Sequence, residues 1–152
     1  MADLLILIGS PSDREHFEGV DRLTEFFGIT HQLEVLSAHR NSEQLRERLA
    51  AARGDGTKVI IAAAGMAAHL AGVCAAESTL PVIGVPLPGS SLDGLDALLS
   101  TVQMPSGVPV ATMAIGKAGA QNAVIFAARM MAVTNESIRL KLEEFRSRGS
   151  RL

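Results

Sequence analysis

Short apolar, β-branched runs alternate with longer stretches of helical spacing along the whole of this chain. Such alternation builds a parallel sheet from repeated strand and helix units. Five strands are predicted, at Leu4 to Ile8, Gln32 to Leu36, Lys58 to Ala62, Val82 to Val85 and Pro109 to Met113. Apart from the second, they are nearly continuous in apolar residues, as strands covered by helices on both faces are. Between them, Asp13 to Phe27, Ser42 to Arg53, Ala67 to Ala76 and Leu92 to Thr101 are predicted as helices, with Asp13 and Ser42 as N-caps and Gly28 closing the first. No composition shift or repeat divides the sequence. The expected fold is α/β: a flavodoxin-like, three-layer α/β/α sandwich on a five-stranded parallel sheet, with a C-terminal helix, forming a single domain over residues 1–152.

Two later segments complete that expectation. Ala118 to Val133 carries apolar residues on nearly every side of the helix it would form, and a helix of that kind is buried all round. A domain of this size has little interior to hide it, so burial against other subunits is its natural completion, with a central core helix as the alternative. Asn135 to Arg151 carries mixed charges and is expected to be a solvated amphipathic helix.

Composition then narrows the partners. A length of 152 residues with 47% hydrophobic residues suits one core. A net charge of -2 supplies no cationic surface for a phosphate backbone, and an aromatic content of 3%, without Trp or Tyr, leaves little for bases to stack on. Nucleic acid is therefore not expected as a partner. The single cysteine, Cys74, excludes an internal disulfide framework and agrees with a reducing, cytoplasmic compartment. Met1-Ala2-Asp3 leads straight into a short apolar run, without the basic region and cleavage site of a signal peptide, and is expected to open the first strand. Val59 to Ala76 has no charged residue unless His69 is protonated, yet it is mostly Ala and Gly. Gly65 and Gly72 suit a buried strand, a loop and an apolar helix better than a membrane span.

In a doubly wound sheet, ligands bind beyond the carboxyl ends of the strands, and three of those segments are unusual. After the first strand, Gly9-Ser10-Pro11-Ser12-Asp13 sets a tight turn and two hydroxyls before a helix N-terminus, which favours phosphate; an ordinary turn with an N-cap reads equally well. After the second, Ser37-Ala38-His39-Arg40 puts an imidazole beside a guanidinium. That pair suits acid–base chemistry on a phosphorylated substrate, although a lone loop histidine is more often a surface residue. After the third, Ala64-Gly65-Met66-Ala67-Ala68-His69-Leu70 lets a flat ligand approach the backbone. His69 is there either a second polar group or a satisfied histidine at the foot of a helix.

Other motifs are missing from the sequence. No Gly-x-Gly-x-x-Gly follows a strand, and Gly116-Lys117 lacks the upstream glycine and following Ser or Thr of a P-loop. His16, His31, His39 and His69 have no metal-binding spacing. Cys74 reads as an inert core thiol, and Met104, Met113, Met130 and Met131 as core filler.

Taken together, Gly9 to Asp13, Ser37 to Arg40, Ala64 to Leu70 with Gly72, and Gly94 to Val110 resemble the 5-(carboxyamino)imidazole ribonucleotide mutases, block by block and in the same order. Ala114-Ile115-Gly116 and Asn122-Ala123 continue the likeness. The resemblance implies a cofactor-free homo-octamer that converts the carbamate isomer of a purine precursor to its ring-carboxylated form, with sites at subunit contacts. Carried over by position, Ser10, Asp13 and Arg40 would bind the ribose phosphate and His39 would carry the proton. Ser12, Ser37, Gly65 and His69 are further candidate contacts, and the ATP-dependent synthetase that makes the substrate is the implied functional partner. A second branch carboxylates the aminoimidazole ribonucleotide directly. It resembles Ser-Ala-His-Lys at the second block and lacks the third-block histidine, so Arg40 and His69 resemble the mutases. Met66 stands where glycine is common in the family, and Asn41-Ser42 replaces its usual Thr-Pro. A non-catalytic flavodoxin-like nucleotide-binding module remains the reading from another class, against which the lack of aromatic residues to sandwich a flavin counts.

Overall fold

The computed structural model describes residues 2–152. Its strands are β1 (Leu4–Ile8), β2 (His31–Val35), β3 (Val59–Gly65), β4 (Val82–Leu87) and β5 (Ala111–Thr112). The helices are α1 (Val20–Phe27), α2 (Ser42–Ala52), α3 (Leu70–Glu77), α4 (Leu95–Val102), α5 (Lys117–Ala132) and α6 (Glu136–Ser147). Every strand pairing is parallel, and the order across the sheet is β2-β1-β3-β4-β5. That is the doubly wound flavodoxin-like order, in which the chain reverses direction across the sheet between β1 and β3.

Alternation along the strands explains the continuous apolar runs. Leu4, Ile6 and Ile8 face one side with Ile61 and Ala63, where Val20, Leu23 and Phe27 of α1, the alanine-rich face of α5, and Ile138 and Phe145 of α6 cover them. Leu5, Leu7, Ile60 and Ala62 face the other side against Leu45 and Leu49 of α2 and Leu70 and Cys74 of α3. Each central strand is thus buried on both faces. β2, at the edge, is only partly buried, which is why its sequence HQLEV alternates. Its Glu34 accepts from Arg48 Nε of α2 at 2.6 Å, and Arg48 Nη1 also reaches Asp55 at 3.0 Å, so a three-residue ion network ties α2 to that edge.

Several boundaries depart from the sequence expectation. The helix expected over Asp13 to Phe27 is two elements: a 3-10 segment, Pro11–Phe17, and then α1, separated at Gly19 with φ 86°. Pro at the first helical position preorganises the tight segment, and the left-handed glycine ends its direction. Asp13 is therefore inside the first turn, and Ser10 occupies the cap. Asn41, rather than Ser42, caps α2. α3 and α4 begin three residues later than expected, at Leu70 and Leu95. The strand expected over Pro109 to Met113 shrinks to Ala111–Thr112, since β5 pairs only with β4 and Pro109 has no N–H to contribute.

Within one chain, α5 is buried along Gly119, Ala120, Ala123, Val124, Ala127, Ala128 and Met131, while Phe126 and Val133 stay exposed. The all-round burial expected of this helix does not occur inside a single subunit, because α1 and α6 flank it on one side only. α6 is amphipathic as expected: the Asn135 side chain accepts from Ile138 N at 3.2 Å, and Arg139 pairs with Glu136 and Glu143 on the outer face. Val59 to Ala76 resolves into β3, a loop and α3. Among the described residues no helix is long and apolar enough to cross a membrane.

Candidate active site

The loops that follow β1, β2, β3 and β4 meet at the carboxyl edge of the sheet, around the β1/β3 reversal, and enclose a cavity of about 430 Å³. Ser10, Ser12, Asp13, Ser37, His39, Arg40, Gly65 and His69 all line it. These residues come from three separate segments and are brought together because parallel strands deliver their C-terminal ends to one edge.

Each loop is fixed by its own polar contacts. In the first, Asp13 Oδ2 accepts from Ser10 N at 2.9 Å, and the hydroxyls of Ser10 and Ser12 lie 2.9 Å apart at the cavity wall. Burial pushes the Asp13 carboxyl above its ordinary range, and the hydrogen bonds from Ser10 and Gly9 together with nearby His16 only partly offset that. The folded state therefore holds this proton to higher pH than the unfolded chain does. The sign follows: Asp13 contributes stability below about pH 4, lost as the pH rises through its folded titration range. Asp13→Asn keeps an acceptor for Ser10 N but cannot ionise. Its thermal midpoint, relative to the parent, is expected to climb as the pH rises from about pH 4 through the folded titration range; a difference that stays constant over that rise would remove Asp13 as the titrating group.

In the second loop, Ser37 Oγ accepts from the backbone N–H groups of both His39 and Arg40 at 3.3 Å, and Asn41 Oδ1 accepts from Ser37 N at 3.3 Å. Ser37 and Asn41 thus shape the turn that presents the imidazole and the guanidinium. Arg40 is exposed, and none of the ion pairs among the described residues uses it. Its fork is open to an anionic ligand.

The third loop supplies the contact that organises the site. His69 Nδ1 lies 2.8 Å from His39 Nε2, with the rings edge-to-face at 4.9 Å between centroids. One proton occupies that bond, and the two neutral tautomers that satisfy it place the remaining N–H on different rings, so the pair can pass a proton along itself. The loop is held from behind: Ala68 N donates to Ser100 Oγ of α4 at 3.0 Å. A Cβ on Gly65 would come within 3.3 Å of the Leu87 and Pro88 carbonyl oxygens, a tight contact that glycine avoids where β3 and β4 meet at the cavity.

Pro88 and Gly89, after β4, also line the cavity and were not among the expected residues. The rule that pointed to the other three strand ends applies to them as well, but they carry no side chain with chemistry to draw attention. Cys74 is buried in α3 with its thiol pushed up to about 12 by burial, as expected of a core thiol. Among the described residues no three His, Cys, Asp or Glu side chains gather closely enough to share a metal ion.

A sequence model of the family described as AIR carboxylase matches residues 3–151. The chain belongs to this AIR carboxylase family. It is 48% identical over 141 residues to a Bacillus subtilis protein named N5-carboxyaminoimidazole ribonucleotide mutase, covering 93% of this chain and 87% of that one. Proteins of the same name from Brucella melitensis and Escherichia coli K12 are 46% and 43% identical, over 95% of this chain and 89% and 86% of theirs. The crystal structure of Treponema denticola PurE superposes with a TM-score of 0.87 at 28% identity, over 97% of this chain and 90% of that one. The overall fold is therefore shared with that structure along nearly the whole of this chain.

Proposed function

We propose that this chain is an N5-carboxyaminoimidazole ribonucleotide mutase of purine biosynthesis, an isomerase that moves the carboxylate from the exocyclic nitrogen to ring carbon 4. The observation that carries the reading is the 2.8 Å contact between His39 and His69 at a cavity whose other polar groups suit a ribose phosphate. The names of relatives at 43–48% identity support it.

The chemistry then follows from the site. Arg40 takes the phosphate through its open guanidinium, with Ser10 and Ser12 as hydroxyl donors and Asp13 as an acceptor for a ribose hydroxyl or a proton. The C–N bond of the carbamate breaks, releasing carbon dioxide, and protonated His39 delivers a proton to the departing nitrogen. Carbon 4 attacks the retained dioxide. Neutral His39 then removes the proton from carbon 4, which restores the aromatic ring and regenerates the acid. His69 holds the His39 ring and shares its proton, a positioning role, while the cavity keeps the dioxide at high effective concentration.

Assembly into an octamer in the cytoplasm is part of the proposal. Leu92, Leu95, Leu99 and Val102 form an exposed apolar stripe at helical spacing in the segment that follows Pro88 and Gly89, and an exposed apolar face of this kind supports subunit contacts. The carbamate substrate is labile, which makes its ATP-dependent synthetase the natural upstream partner. The test offers purified protein the carbamate isomer in one reaction, and the aminoimidazole ribonucleotide with bicarbonate but no ATP in another. Rapid formation of the 4-carboxylate from the carbamate is expected. Activity confined to the second mixture would instead make the chain a direct carboxylase.

A further inference from the structure

Met66 is the first residue beyond β3, and its backbone is left-handed, with φ 55°. A long side chain rarely adopts that conformation, and where one does, the surroundings hold it there. Here both flanks are pinned: Gly65 is still paired with Leu87 in the sheet, and Ala68 N is bonded to Ser100. The result is that the Met66 side chain is turned outward at the cavity rim, 63% exposed. Among the other apolar residues lining the cavity, Leu70 is buried and Pro88 is rigid. Among the described residues Met66 is the one long, flexible apolar chain lining the cavity that is exposed, and an unbranched thioether adapts to whatever surface it covers.

Building on the mutase reading, we infer that Met66 folds over bound substrate as an apolar cap that retains the carbon dioxide released in the first half-reaction. The reaction gives such a cap something to act on. Once the C–N bond breaks, the dioxide either bonds to carbon 4 or escapes, leaving free aminoimidazole ribonucleotide and no product. An open cavity of this size lets water in and the dioxide out, and an apolar chain over it opposes both. Met66 acts on the partition between the two fates, not on proton transfer.

The experiment uses the full-length enzyme with carbamate isomer labelled with ¹³C at the carboxylate, in unlabelled bicarbonate, corrected for loss without enzyme. Two quantities are read: label retained in the product, and aminoimidazole ribonucleotide released per product formed. Met66→Gly is expected to raise release about threefold or more and to lower retention correspondingly, while Met66→Leu, which keeps apolar bulk, stays near the parent. Because glycine relieves the left-handed strain, Met66→Gly is expected to melt no lower than the parent, which separates escape from misfolding. Equal retention in Met66→Gly and the parent overturns the inference alone. Absence of any product from the parent overturns the activity reading and the inference with it.

Discussion

Turnover of the carbamate isomer by His39→Asn is expected to fall by about 10²- to 10⁴-fold, the range that a positioned proton carrier contributes. In free energy this is roughly 3–5 kcal/mol at the transition state. Asparagine preserves a polar side chain on the turn set by Ser37 and Asn41, so the loop and Arg40 stay where they are. The loss therefore falls on kcat with little change in KM, because the group serves the transition state in both half-reactions. Arg40→Ala gives the contrasting pattern. A charge-assisted contact of about 1.5–3 kcal/mol corresponds to a KM raised about 10- to 100-fold. Steady-state kinetics of the two variants side by side checks both, and a His39→Asn enzyme with near-parental kcat would take the proton-carrier role from His39.

Gly119→Ala is expected to destabilise the fold by about 3 kcal/mol or more, although helix propensity alone predicts a gain of about 1 kcal/mol from alanine. Sterics decide the sign. A Cβ at this position would sit 1.7 Å from the Ala114 carbonyl oxygen and 3.2 Å from Val85 Cγ1. The obstacle is backbone, which cannot swing aside as a side-chain tip does, so either α5 lifts from β4 or the loop before it shifts. For a domain of this size the thermal midpoint is expected to drop by roughly 6–12 °C. A midpoint unchanged or raised would show that α5 does not approach Ala114 so closely.

How much of this was legible in the sequence depended on what fixed each element. β1, β3 and β4 could be read directly because burial on both faces leaves unbroken apolar runs. The convergence of Ser10, His39 and His69 was also legible, since a parallel sheet sends those loops to one edge. The 2.8 Å bond between the two imidazoles was not, for it joins residues from separate loops, and spacing along the chain says nothing about ring orientation. The break at Gly19 was hidden behind a sequence that is amphipathic on either side of it. The left-handed backbone of Met66 was not legible either, since it is imposed by the flanking anchors and not by methionine's own preference. The exposed apolar stripe from Leu92 to Val102 was not legible, because its spacing is equally that of a buried helix face and exposure is a property of packing.

The place of β1 in the sheet also bears on how the chain is made. Leu4 pairs with His31 on one side and Val59 on the other, so β1 is central yet is translated before either of the strands that flank it. Until the second and third strands emerge, Leu4 to Ile8 is an unprotected adhesive segment, and slow, long-range closure of this kind is where nascent chains are caught by one another. Nascent chains halted before the third strand are therefore expected to need more protection by chaperones than chains halted beyond it.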